Sequence, residues 1–213
     1  PLATRPGVGI PLADHISDDW RRVTWLEPAD NPDDGNEASV RDLASGELVY
    51  TGAVRTPVEA IVPHVPYGDG EAGLSAEGFA LAGDVHVWRG DLTPADYTAP
   101  TPDGRPPTRG FAAERLARAI CADREMLDTA GVTAIADALA AAQVTRIADA
   151  MARVRARHPR LDTAVVTGLG DFIGVRAALQ AGLRVIPLAS VLGDAAARCA
   201  PAASVALLFD DAD

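Results

Sequence analysis

The sequence predicts an α/β fold, on three observations. A buried-type strand, Ala164-Val165-Val166-Thr167, runs into Gly168-Leu169-Gly170, then a helix opened by Asp171, then a second strand over Val185 to Leu188. Upstream, apolar residues recur at helical spacing from about Thr133 to Arg157. Further upstream, Leu48 to Thr51 is a short β-branched and aromatic strand that breaks at Gly52.

Composition bounds the rest. The 213 residues are 48% hydrophobic and 23% charged, enough to bury a core. Aromatics are only 5%, so Ala, Val, Leu and Ile must fill it. A net charge of −11 with no basic block argues against nucleic acid or an anionic membrane surface as partner, because both reward clustered Lys and Arg. Cys121 and Cys199 sit in apolar helical patterns without ligand-spaced neighbours, and are expected to be buried free thiols in a reducing compartment. No stretch has the length of a membrane span or the form of a signal peptide, so a cytoplasmic location is expected. The chain opens at Pro1 without a methionine, which suits a piece of a longer polypeptide.

Taken in order, residues 1–40 are punctuated by Pro and Gly, with one strand-like run from Arg22 to Leu26 and a turn by composition from Asp30 to Gly35. Arg55 then stands between Thr51 and Thr56, with Gly52 before it and Pro57 closing the string. A strand, a tight turn, a cation and hydroxyls can bring donors to an anion; a hairpin with a surface arginine is the alternative. Val58 to Val62 continues as a strand or short helix, and Gly68, Gly70 and Gly73 mark a loop. Ser75 is placed to cap a helix reaching Trp88, although Asp84 to Trp88 also alternates like a strand. Asp91 to Pro107 is a long Thr-, Pro- and Asp-rich connection, either functional or a plain linker.

Thr108 is expected to cap a helix to about Thr129, with Leu116, Ile120, Asp123 and Leu127 on one stripe. A carboxylate there needs a partner or a ligand, unless it lies at the stripe's edge in water. Gly131 breaks the chain before the long helix, whose stripe is Ile135, Leu139, Gln143, Ile147, Met151 and Val154. Gln143 is its polar member, read as a buried structural hydrogen bond. His158-Pro159 ends that helix, Gly182 closes the next, Ser190 caps a turn, and Cys199 to Phe209 forms a last apolar helix. The Gly-x-Gly turn lacks the third glycine of a dinucleotide site and the Lys of a phosphate loop.

In this order the chain resembles the hydantoinase/oxoprolinase-type proteins linked to tetrahydromethanopterin one-carbon transfer, whose archaeal members act in methanofuran biosynthesis. The matching blocks are Ser45 to Gly52 with Arg55-Thr56-Pro57-Val58, then Ala82-Gly83-Asp84-Val85, and Asp96-Tyr97-Thr98 with Pro102-Asp103-Gly104-Arg105. Arg115 to Arg118 with Cys121-Ala122-Asp123-Arg124, and Val165 to Gly170 with Phe172, complete them. The resemblance implies a ribonuclease-H-like half of an actin, sugar-kinase and heat-shock-ATPase type of fold over residues 38–213, after an irregular segment 1–37, with a helical insertion at about 108–158. It implies condensation of an aminomethylfuran methyl diphosphate with a tyramine–glutamate phenol, releasing diphosphate. On that scheme Thr51, Gly52, Arg55, Thr56, Arg105, Gly168 and Gly170 hold phosphate. Asp84, Asp103 and Asp123 serve as metal ligands or base, with Mg2+ and a nucleotide as the cofactors to test. The family's upstream Asp-x-Gly and Asp-x-Gly-Ser/Thr-x-Thr phosphate motifs are not recognised here; the nearest string, at Asp34-Gly35, reads as a turn. The expectation is therefore the C-terminal half or a split subunit of a synthase, with a protein partner supplying the missing half. A non-catalytic subunit, or an ATP-dependent hydrolase or kinase of the same superfamily, are the alternatives.

Overall fold

Local hydrogen bonding and a few close glycine contacts set where each element begins and stops. The computed structural model describes residues 22–25, 39–42 and 49–203. The chain divides into two units, Pro1–Val49 and Tyr50–Asp213. In the first, β1 (Arg22–Trp25) pairs antiparallel with β2 (Ser39–Asp42), with Arg22 opposite Asp42 and Trp25 opposite Ser39. The strand read at Arg22 to Leu26 is β1; the turn read at Asp30 to Gly35 lies outside the described residues.

The second unit begins without the strand read at Leu48 to Thr51. Leu48 lies outside the described residues, and Val49 to Gly52 have no regular structure. A single 3-10 turn, Val58–Ala60, follows. The glycines at 68, 70 and 73 belong to a hairpin rather than a loop, with β3 (His64–Tyr67) antiparallel to β4 (Gly70–Gly73). Its two-residue turn uses Gly68 at φ +56°, a conformation that suits glycine in tight hairpins.

Helix α1 (Ala82–Arg89) is shorter than expected and is not capped by Ser75. It starts where Leu81 bridges Pro57. The Ala82 and Gly83 amides donate to the Thr56 carbonyl at 2.7 Å and the Val54 carbonyl at 3.1 Å, so its first-turn donors are satisfied from a distant loop. Gly90 ends it at φ +81°. Nearly every residue of α1 is buried, and the alternating pattern at Asp84 to Trp88 is an all-round buried helix, not a strand. Gly83 is needed where it stands, because a Cβ there would lie 2.3 Å from Cε2 of Tyr97.

Helix α2 (Arg109–Ala119) is capped by Thr108, as read, but stops ten residues before Thr129. Cys121 takes φ +59° just beyond its end, which carries Asp123 off the expected stripe into an exposed turn. Helix α3 (Thr129–Arg157) runs through Gly131, whose amide is taken by the Asp128 side chain at 2.7 Å. The main core lies among α1, α2, α3 and the hairpin, around Val58, Val65, Val85, Leu116, Val132, Ile135 and Leu139.

The C-terminal part is the strand–turn–helix–strand unit expected. β5 (Thr163–Val166) and β6 (Arg184–Pro187) are parallel, joined by α4 (Asp171–Gln180), with Val165 opposite Ile186. α4 packs on the long α3 and on this sheet, where Gly174 lets the backbone approach Val166. Two short helices follow, α5 (Ala189–Leu192) and α6 (Asp194–Arg198). The end of the helix read at Cys199 to Phe209 lies outside the described residues. Both cysteines are exposed rather than buried, because each sits just past a helix end instead of on its apolar face.

Candidate functional site

The loop from Thr51 to Thr56 turns its acceptors inward. The Thr56 hydroxyl oxygen accepts from the Gly52 amide at 2.7 Å. The Gln143 amide donates to the Thr51 hydroxyl oxygen at 2.7 Å and to the Gly52 carbonyl at 3.0 Å. The Val54 and Thr56 carbonyls receive the first amides of α1. Both threonine hydroxyls thus spend a lone pair on an N–H, and each keeps a proton to give. Arg55 is exposed, and its guanidinium makes no ion pair or hydrogen bond among the described residues. One cation and two hydroxyl donors on one loop form a donor set suited to an anion.

The glycine turn touches this loop at Ala53. Gly168 adopts φ +90° at the carboxyl end of β5, and Gly170 precedes the first turn of α4. A Cβ on Gly170 would lie 3.3 Å from Cβ of Ala53, so the turn and the Thr51–Thr56 loop are in contact. Beyond Gly168 opens a cavity of about 290 Å³, lined by Thr167, Gly168, Asp171, Asp194 and Arg198 among others. It lies outside the carboxyl ends of parallel strands, where α/β sheets take their ligands. The Thr167 hydroxyl donates to the Ala197 carbonyl at 2.7 Å, and Arg198 donates to Asp96 at 3.0 Å. Asp96 also accepts from the Thr93 hydroxyl and amide, and these bonds, with Arg198, hold its carboxyl at a pKa of about 2.

The three aspartates singled out from sequence do not gather. Asp84 and Asp103 are joined through Arg115, which reaches Asp84 at 2.7 Å and 2.8 Å and Asp103 at 3.0 Å. Asp84 and Arg115 are almost wholly buried. Burial pushes the Asp84 carboxyl up, against the pull of Arg115 and the Leu81 amide. Burial acts on Asp103 in the same direction, but Arg105 and Arg115 outweigh it and hold that carboxyl below its ordinary value. Arg105 is itself committed, to Asp103 at 2.7 Å and to Glu114. Tyr97 lies over Gly83 with its hydroxyl buried and without a hydrogen-bond partner; burial and the Asp84 charge push its pKa up. Asp123 accepts from the Glu125 and Met126 amides, both at 2.9 Å, and so caps a turn. The carboxylates that do line the cavity are Asp171, read from sequence only as a helix opener, and Asp194, which carried no signal.

A second buried network lies behind the loop. His86 Nε2 meets Gln143 Oε1 at 3.0 Å and His86 Nδ1 faces Asp91 at 3.3 Å. Asp91 also accepts from Arg89 and Arg176, each at 2.9 Å. Phe172 of α4 stacks edge-on to the His86 ring at 4.8 Å. Burial lowers the His86 pKa, with Gln143 and Asp91 opposing. Sequence reading missed His86; its only signal was a polar residue within the apolar run Val85 to Trp88.

No protein-family model matches the chain. It is 32% identical over 131 residues to the (4-{4-[2-(gamma-L-glutamylamino)ethyl]phenoxymethyl}furan-2-yl)methanamine synthase of Methanocaldococcus jannaschii. It is 27% identical over 138 residues to the synthase of the same name from Methanococcus vannielii. The matched residues are 62% and 65% of this chain but 39% and 62% of the two relatives, so the chain spans less than two thirds of either.

Proposed function

We propose that this chain is the C-terminal half, or a split subunit, of a biosynthetic synthase that joins a phosphate-activated furfuryl carbon to a phenol oxygen and releases diphosphate. The observation that supports the reading is the contact of Gly170 with Ala53, which joins the loop carrying Thr51, Arg55 and Thr56 to the glycine turn, while the cavity beyond Gly168 is lined by that turn, Asp171, Asp194 and Arg198 and by no residue of the loop. Similarity to two synthases whose named product is an aryl furfuryl ether supplies the substrate class. The cavity volume suits a diphosphate or a small ring better than a whole nucleotide. β5, α4 and β6 would be part of a ribonuclease-H-like half. Val165 and Ile186 stand exposed on the sheet face away from α4, and a polypeptide carrying the rest of the relatives' length would cover it.

In the reaction the phenol oxygen forms a bond to the furfuryl carbon as the carbon–oxygen bond to diphosphate breaks. The electron pair leaves with diphosphate, and the phenol proton passes to a carboxylate. Arg55 and the two threonine hydroxyls would hold the departing charge. Asp84 and Asp103 are tied to arginines, so the open carboxylates Asp171 and Asp194 are the better base candidates. The same pair would suit Mg2+ brought in on the diphosphate, an ion usually held by one or two carboxylates plus phosphate oxygens. Mg2+ would neutralise phosphate charge.

The test combines this chain with a polypeptide carrying the remaining length of the relatives, a furfuryl diphosphate and a tyramine-type phenol. Ether and diphosphate in equal amounts, read by mass spectrometry, are expected. Phosphate release from ATP instead would move the assignment to a hydrolase or kinase, and neither product would reject catalysis in favour of a binding subunit.

A further inference from the structure

We infer that Gln143 is a positioning residue for the anion-binding loop, holding Thr51 so that its hydroxyl proton points outward, and that His86 fixes Gln143 in the orientation this needs. The inference rests on the phosphate-site reading of that loop. The orientation of the Gln143 amide is dictated by the Gly52 carbonyl, which can only accept. The Gln143 nitrogen must therefore face Gly52 and Thr51, and its oxygen must face His86. A flipped amide would set two oxygens against each other.

His86 must then carry its proton on Nε2. That proton goes to Gln143 Oε1, and Nδ1 faces the Asp91 carboxylate at 3.3 Å, an acceptor that Arg89 and Arg176 also engage. Phe172 closes the ring's side towards α4. The chain of donors runs one way, from His86 to Gln143 to Thr51, and ends at a half-exposed hydroxyl with one proton to give. Gln143 is itself 1% exposed and cannot touch a ligand in the loop's outer face; it acts through Thr51.

The experiment titrates inorganic diphosphate into the full chain by calorimetry, for the wild type, Gln143→Met, Thr51→Val, the double variant and Arg55→Ala, with a melting curve for each. A hydrogen bond to a charged group is worth enough that Gln143→Met and Thr51→Val should each weaken binding by about tenfold. The double variant should bind no more weakly than Thr51→Val alone, since Gln143 has nothing left to orient. Equal weakening by Gln143→Met with and without Thr51 would overturn the inference and leave Gln143 as a core residue. If Gln143→Met does not fold, Gln143→Asn, which withdraws the amide while staying polar, takes its place in the same cycle. Arg55→Ala losing affinity while Gln143→Met keeps it sinks the inference alone; diphosphate failing to bind the wild type, or binding Arg55→Ala equally well, sinks the site as well.

Discussion

Two buried side-chain systems occupy the middle of the second unit, and they behave differently. In the first, Arg115 answers Asp84 and Asp103 together, and neither Asp84 nor Arg115 meets solvent. Deleting one partner leaves the other charge buried and unpaired, so Arg115→Met should cost about 3–5 kcal/mol in urea unfolding. A loss below about 1 kcal/mol would place the pair in water, as exposed pairs are. In the second, burial lowers the His86 pKa below the ordinary 6.5. As pH falls through 6.5 the unfolded chain takes a proton that the folded chain refuses, so this residue's contribution to stability is present above 6.5 and is lost as pH falls towards the folded pKa. Unfolding free energy measured from pH 7.5 downward should fall more steeply for the wild type than for His86→Gln, and parallel curves would contradict the burial of a neutral ring.

At the scale of elements, α1 is the piece on which most depends, since it carries Asp84 and His86 and takes its first hydrogen bonds from the Thr51–Thr56 loop. Gly83→Ala drives a Cβ into the Tyr97 ring. Overpacking of that kind typically costs about 1–3 kcal/mol, and a melting temperature within experimental error of wild type would show that Tyr97 can move aside. The same helix shows why some of the fold was legible in the sequence and some was not. α3 and the β5–α4–β6 unit follow from local periodicity and a glycine turn, and they appear within a few residues of their expected bounds. The start of α1 depends on carbonyls some thirty residues upstream, at Val54 and Thr56, which no local pattern records. The β3–β4 hairpin is glycine-rich and carries little alternation. At the site, Gly168, Gly170 and the Thr51–Thr56 loop were legible as motifs, whereas His86 becomes visible only through a contact 57 residues away at Gln143. Helical spacing predicts Asp123 on a helix face because nothing in the sequence marks Cys121 as a left-handed residue.

For the whole molecule, the net charge is −11, so at the proposed anion site the local donor set would have to overcome a repulsive field. Binding should therefore depend on Arg55, the exposed cation of that loop, more than on any overall charge. No helix among the described residues is long and apolar enough to cross a membrane. The matched residues cover 39% and 62% of the two relatives, and Val165 and Ile186 are exposed on the small parallel sheet. The most direct measurement is calorimetric titration of diphosphate into the wild type and Arg55→Ala at fixed ionic strength. The account predicts binding by the wild type, at least a tenfold weakening in Arg55→Ala, about the worth of a hydrogen bond to a charged group, and an unchanged melting temperature. Equal affinity in the two proteins would contradict it.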